Sequence, residues 1–563
     1  MADSQMQMRK LWQPADPKAT QVYTFMQTAN RKRNRTMQDW DDLHAWSVDH
    51  ISDFWEEVFQ QLPIIHSGSY SEVVDENARM DSIPTWFKGV KTNLAENILY
   101  WPDVSDPSKA TTTRKRDGAI ACTEVREGCT EIRHCTWKEI RERTAVLSNA
   151  MRARGVRKGD RVAVVASNSI DTLTVFYAVT ALGGLFSSSS TDMGTKGILD
   201  RLRQIKPKFV FVDDWAVYNG KTIDLRPKIG EIEPDLKAFL KLVSDQHVTD
   251  LGVSPRYFQT LATAKPPVIP RDVTDLGRLR RVSSTGMVLS EAQFEYFYDH
   301  AFPPHVQLAN ISGGTDLAAC LTGDTMMKPL YTGGTMTAML GMKVEVFDQE
   351  AGRMEGRTVP AGEAGELVCT RPFPTMPVKF WDDPGEKYFN AYFARFDNVW
   401  THGDFISLHS QNKQFYMLGR ADGVLNPSGV RFGSAEVYNS LDANFPDEIQ
   451  DSVCVGQRRP QDTDESVMLF LLMKPGKPFT QDLVKRAKDA IARDVGRRCV
   501  PKYVFETPEI PTTINLKKVE LPVKQIVSGK TIKPSDTLAN KACLDFYYQF
   551  SEVENLVQPR SKL

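Results

Sequence analysis

Hydrophobic positions along this chain switch between two periods, and the switches mark its organisation. Thr136-Trp-Lys-Glu139 forms a capping box, and apolar Ile140, Leu147 and Met151 follow at helical spacing until Gly155 offers a stop. The next stretch, DRVAVVASN, is a short apolar run suited to a buried strand. A second helix over about 170–182 ends at Gly183-Gly184, LFSSSS follows, GILDRLRQI reads as a third helix and KFVFVDD as another strand. Strand, helix, strand, helix, strand implies right-handed parallel crossovers and an α/β fold with parallel sheets.

After Gly419 the texture changes. EVYNSL looks helical, DSVCVG and VMLFLLMK read as strands, QDLVKRAKDAIARDVG as an amphipathic helix and YVFET as a further strand. These elements predict a small separate α+β unit. Trp12, Trp40, Trp46, Phe54, Trp55 and Trp86 crowd the first hundred residues and read as packing anchors.

Composition narrows the function classes. The 563 residues are 41% hydrophobic and 25% charged, enough for two or three domains with their own cores. Lys plus Arg number 70 against 71 Asp plus Glu, so no global field attracts nucleic acid or an anionic membrane. The short basic runs RKRNR and TRKR read as solvated surface. No stretch approaches the length of a membrane span, and the polar start MADSQMQMRK has no signal core, so a soluble, non-secreted protein is expected. The eight cysteines form no CxxC pair, which suits a reducing interior. Cys122, Cys129, His134 and Cys135 match no zinc-knuckle spacing and no HExxH occurs, so no metal-ligand cluster is expected. The chain ends in Ser561-Lys562-Leu563, an address read by the peroxisomal import receptor; a peroxisomal location is expected, with the cytoplasm as the alternative.

Several stretches could meet a nucleotide. SSTG (283–286) and ISGGTD (311–316) combine glycines, which admit close backbone approach, with hydroxyls that donate to phosphate oxygens. In THGDF (401–405), Asp404 could accept both hydroxyls of a ribose. LGRADGVLNPSGVRFG (418–433) carries two turns and two arginines able to reach a hydroxyl and a phosphate. VSGKT (527–531) is no P-loop, because Lys524 stands where the first glycine is required. INLKKVE (514–520) poses the question of whether one of its two lysines does chemistry.

Taken in order, these stretches resemble the adenylate-forming superfamily of acyl-CoA synthetases, and most closely the acetoacetyl-CoA synthetases. The likeness also runs through LWQP, DDLHAWSVDHISDFW, PTWFKGVKTNLAENIL, RARGVRKGDRV, LDRLRQIKPKFVF, GELVCTRP and KKVELPVKQIVSGK. It implies an N-terminal extension over 1–120, a large adenylate-forming domain over 121–419, a small mobile domain over 420–540 and a tail over 541–563. It implies an AMP-forming ligase that uses ATP, Mg²⁺ and coenzyme A to convert acetoacetate, or a related short or β-oxo carboxylic acid, to its CoA thioester through an acyl-adenylate. Under the resemblance, Gly286, Met287 and Val288 line the adenine side. Ser312, Gly313, Gly314 and Thr315 meet base and phosphate, and Asp316 stands where the superfamily usually has a metal-associated Glu. Asp404 and Arg420 hold the ribose, Arg431 a phosphate, and Ser428 and Gly429 lie by the CoA channel. Asp422 is the hinge. Lys517 is the adenylation lysine, and Lys518 is left as surface.

Two departures from the family pattern stand out. Its Ser/Thr/Gly-rich loop ending in lysine, which cradles the β- and γ-phosphates, is expected between KFVFVDD and VSSTG and is missing; EIEPDLKAFLKLV runs directly into SDQHVTDLGVSPRYF, with the junction expected around 243–252. The lost segment would also carry aromatic residues of the acyl pocket. Leu516 replaces the glycine before the lysine, and its Cβ restricts φ. The alternatives to an acetoacetate ligase are therefore a ligase for a different pathway-specific acid, or an impaired remnant that at most binds nucleotide, CoA or a partner.

Overall fold

The computed structural model describes residues 8–557 apart from 127–128, 130, 190, 192–194, 214, 219–220, 225–235, 265, 350, 353, 426, 428–431, 514–517 and 535–537. Ser428, Gly429, Arg431, Leu516, Lys517 and the terminal Ser561, Lys562 and Leu563 lie outside the described residues, as does the side chain of Asp422.

Three helices lead, α1 (Gln21–Arg33), α2 (Trp40–Asp49) and α3 (Ile51–Gln61). The Asp39 side chain caps α2 by accepting from the Asp42 amide. Met26, Leu43, Trp46 and Phe54 bury one face of this group against Met327 and Leu340. Trp40 Nε1 donates to Thr337 Oγ1 at 2.8 Å, and the Gly341 amide donates to Ser47 Oγ at 2.8 Å. The leading tryptophans thus fasten the N-terminal segment onto the body of the large domain, as packing anchors do.

The first α/β unit comprises α4 (Trp137–Ala153), β1 (Arg161–Val165), α5 (Ile170–Ala181), β2 (Leu185–Ser189), α6 (Thr195–Ile205) and β3 (Phe209–Val212). Its capping box forms as expected, with Thr136 Oγ1 accepting from the Glu139 amide and Glu139 accepting from the Thr136 amide. The three strands are parallel in the order β3-β1-β2, with Val162 opposite both Phe209 and Phe186. A second parallel unit follows: α7 (Leu236–Asp245), β4 (Asp250–Val253), α8 (Pro255–Thr263), β5 (Arg281–Ser284), α9 (Glu291–Tyr296) and β6 (Gln307–Asn310). Its sheet order is β4-β5-β6, over a core of Phe258, Phe294, Phe297 and Phe302. Among the described residues no strand pairing joins the two sheets.

The chain then turns antiparallel. The hairpin β7 (Ser312–Gly314) and β8 (Ala319–Gly323) precedes β9 (Gly334–Thr335), β10 (Val344–Phe347), β11 (Ala364–Cys369), the helix α10 (Glu386–Tyr392), β12 (Trp400–Leu408) and β13 (Phe415–Arg420). Five of these strands form one sheet in the order β9-β13-β12-β11-β10, packed on Trp400, Phe373 and Leu367.

The C-terminal unit contains α11 (Ser434–Asn444), β14 (Ile449–Gln457), β15 (Ser466–Met473), α12 (Gln481–Asp494), β16 (Tyr503–Glu506) and α13 (Leu521–Val527). Period-2 alternation gives its sheet two apolar faces. Cys454, Val467, Leu469 and Leu471 meet α11 and α12 through Leu441, Leu483 and Ile491. Val453, Val455, Met468 and Phe470 meet α13 and also Leu544, Tyr547, Phe550 and Val553. The stretch expected as a tail from 541 therefore divides: 541–557 complete this second face, because without them Phe470 and its neighbours would face water. No described helix is long and apolar enough to cross a membrane.

Candidate active site

Parallel strands β5 and β6 end side by side, with Ser284 opposite Asn310 and the Ile311 amide donating to the Ser284 carbonyl at 3.0 Å. The carboxyl ends of parallel strands are where open α/β sheets place ligands. From β5 the chain turns through Gly286, whose φ of +97° suits a residue without Cβ; Gly286 and Val288 are exposed and Met287 half-buried. From β6 it enters the β7–β8 hairpin.

That hairpin, the end of α10, β12 and the end of β13 enclose a cleft of about 590 Å³. Gly313, Gly314, Thr315, Asp316 and Arg420 line it. Asp404 and Ser312 adjoin them: Arg420 Nη1 donates to Asp404 Oδ1 at 2.8 Å, and Ser312 Oγ stands 3.5 Å from Asp404 Oδ2. Asp404 and Arg420 are cross-strand partners, so antiparallel register alone joins residues sixteen apart. The structure thus gathers seven expected site residues, while Gly286, Met287 and Val288 do not line this cleft.

One glycine proves to have a protein-side reason. A Cβ on Gly313 would lie 2.1 Å from the Ala319 carbonyl oxygen, so its missing side chain lets the hairpin close. The cleft also contains residues that motif reading passed over. His402, the residue before Gly403 and Asp404, sets Nε2 3.2 Å from the Gly313 carbonyl and 3.7 Å from Asp404 Oδ2. Trp400 Nε1 donates toward His402 Nδ1 at 3.5 Å. Tyr392 stacks on Trp400 with centroids 3.7 Å apart and 13° between planes, and its hydroxyl donates to the Asp316 carboxylate. Burial and that carboxylate push the Tyr392 phenol well above its ordinary value, so it remains a donor at neutral pH. The sequence signal for these residues was present only as aromatic crowding in YFNAYF and the His of THGDF.

A nucleotide fits these groups chemically. Asp404 offers acceptors for ribose hydroxyls, Arg420 a cation, and Thr401 Oγ1 is a buried cleft-wall hydroxyl without a hydrogen-bond partner among the described residues. Among the described residues, no group of three or more His, Cys, Asp and Glu is arranged to hold a metal ion.

Beyond the cleft, Arg420 leads into a short helical turn over Ala421–Gly423, at the expected hinge. Ser434 Oγ and Tyr438 hydroxyl both donate to Glu520 at 2.7 Å, and Lys524 Nζ donates to the Val424 carbonyl at 3.3 Å. Lys518, expected at the surface, is instead largely enclosed. Its ammonium lies 2.7 Å from Asp451 and 3.8 Å from the centre of the Tyr438 ring. The cause is the Thr512–Lys518 bridge, with the Val519 amide donating to the Pro511 carbonyl, which turns Lys518 into the small domain.

Family models for AMP-binding enzymes match residues 109–232 and 215–377, and the acetyl-coenzyme A synthetase N-terminus matches 40–98. The chain is 31% identical to acetoacetyl-CoA synthetase of Macaca fascicularis over 681 aligned residues, covering 98% of each chain. It is 30% identical to a malonamoyl-CoA synthetase of Penicillium aethiopicum, covering 96% of this chain and 92% of that one. The fold matches the solved acetoacetyl-CoA synthetase from Streptomyces lividans with a TM-score of 0.84 at 24% identity, over 97% of this chain and all of that one.

Proposed function

We propose that this chain, which belongs to the acetoacetyl-CoA synthetase family of AMP-binding enzymes, activates acetoacetate or a closely related short β-oxo acid. The observation that carries this reading is the gathering of Ser312 to Asp316, Asp404 and Arg420 around one cleft beside the hinge segment. The reaction has two steps. The acid's carboxylate attacks the α-phosphorus of ATP, forming acyl-adenylate and releasing pyrophosphate; the CoA thiolate then attacks the acyl carbon and expels AMP. An anion must approach a polyanion, so catalysis depends on fixed donors and cations placed where charge gathers. Asp404 and Arg420 hold the ribose, the β7–β8 hairpin and Thr401 face the phosphate end, and Lys517 bridges carboxylate and α-phosphate. Mg²⁺ bound with the nucleotide would screen the phosphate charge, and Asp316 is the cleft residue that would meet it. The malonamoyl-CoA-forming relative favours a second acid of the same shape, with an amide at the β-carbonyl.

We further propose that the loop cradling the β- and γ-phosphates is absent from this chain. Support comes from the lack of any Ser/Thr/Gly-rich run ending in lysine between 212 and 283, from alignments of 681 residues against a chain of 563, and from the two unjoined parallel sheets. The overlap of the two AMP-binding matches at 215–232 favours a junction there. The other candidate for the junction, at 243–252, runs from the end of α7 into β4. Loss of one preorganised donor commonly costs ~10²–10³ in rate, so the first half-reaction should be weak.

Two assays on the full chain test this. Acetoacetyl-CoA formation from supplied acetoacetyl-adenylate should exceed pyrophosphate release from acetoacetate, ATP and Mg²⁺. Rapid pyrophosphate release would overturn the missing-loop reading. Inertness in both assays, with acetoacetate and with malonamate, would overturn the ligase reading for this chain.

A further inference from the structure

Asp316 is exposed in the four-residue turn between β7 and β8, closed by the Ala318 amide donating to the Thr315 carbonyl at 3.2 Å. A carboxylate at a hairpin tip ordinarily samples several rotamers, and ordering it on ligand binding costs free energy. Here it does not swing freely. The Tyr392 hydroxyl holds its Oδ2, and Oδ1 has no hydrogen-bond partner among the described residues. Tyr392 is itself immobilised: its ring lies flat on fully buried Trp400 and packs edge-on against Tyr388 and Phe380. Trp400 in turn reaches His402, which reaches the Gly313 carbonyl at the base of the same hairpin.

From this geometry we infer that Tyr392 is a positioning residue for nucleotide binding: it holds Asp316 in one rotamer, leaving Oδ1 to meet a divalent cation carried by the phosphates. The inference rests on the nucleotide reading of the cleft and adds to it a residue from α10. Aspartate is one methylene shorter than glutamate, so a rigid donor that fixes its direction matters more here than for a longer acid.

Calorimetric titration of the full-length protein tests it, with AMP alone and with ATP across a Mg²⁺ series. Tyr392→Phe keeps the ring and its stack, so the thermal midpoint should stay unchanged, and the Mg²⁺ concentration for half-maximal ATP binding should rise about tenfold, well beyond any change in AMP affinity. In an Asp316→Asn background the same change should add nothing. Equal weakening of AMP and Mg·ATP, or full additivity with Asp316→Asn, overturns the inference. So does an Asp316→Asn protein with unaltered Mg²⁺ dependence, a variant that touches no core residue and so reports even if Tyr392→Phe misfolds. A wild-type protein that takes neither AMP nor ATP instead overturns the nucleotide reading itself.

Discussion

Lys517 and Lys518 are neighbours in one short segment, yet opposite consequences are expected from removing them. Lys518 is largely enclosed against Asp451 and Tyr438, so Lys518→Met strips the partner from a shielded carboxylate and loses a cation–π contact. Urea denaturation should show a loss of about 2–3 kcal/mol. Lys517→Ala should leave that stability unchanged and abolish adenylate formation, while sparing thioester formation from supplied acyl-adenylate; equal loss in both half-reactions would remove Lys517 from its role. In the cleft, Asp404→Asn keeps shape but gives up the charged partner of Arg420, and AMP affinity should fall about tenfold by titration. The sequence could name Asp404 and Arg420 as chemistry-bearing, but not their pairing, which comes from strand register. Nor could it show Lys518 as largely enclosed, since its bridge to Thr512 and its ion pair with Asp451 are tertiary contacts.

Among elements, the C-terminal helices carry the sharpest expectation. Tyr547 and Phe550 pack on Phe470 with centroids 5.0 and 4.9 Å apart. Ending the chain at 540 should uncover that face and give an unstable, aggregating protein by light scattering and thermal melting; Tyr547→Ala alone should cost about 3–5 kcal/mol. The same segment is pinned by Arg459, which donates to both Glu554 oxygens at 2.6 and 2.8 Å. These hydrogen bonds hold the Glu554 carboxyl down at about 2, from an ordinary 4.5. A depressed carboxylate stabilises above its unfolded value and loses that contribution as pH falls from 4.5 toward 2. Pepsin cleavage within 541–557 should therefore accelerate across that window, and Glu554→Gln should flatten the dependence. Most helices and strands were legible beforehand, because the capping box at Thr136 and the alternation in VMLFLLMK are local signals. The tail was not: Leu544, Tyr547, Phe550 and Val553 read as scattered apolar residues until the sheet face they cover is known.

At the scale of the whole molecule, the β7–β8 hairpin, α10 and the antiparallel sheet line one cleft, and the balance between half-reactions is its overall test. Under the proposed loss of the phosphate loop, thioester formation should exceed adenylation. The sequence by itself determined the family, the order of elements, the ribose pair as candidates and the reading of a missing loop that is proposed above, since each is carried by residue identity or by a local period. The tertiary structure alone decided that Asp404 meets Arg420, that Tyr392 and Trp400 back Asp316 and His402, that Lys518 is enclosed, and that 541–557 belong to a core. Those are contacts between residues far apart in the chain, fixed by strand register and by the burial of faces, and no local pattern encodes which distant face a side chain will cover.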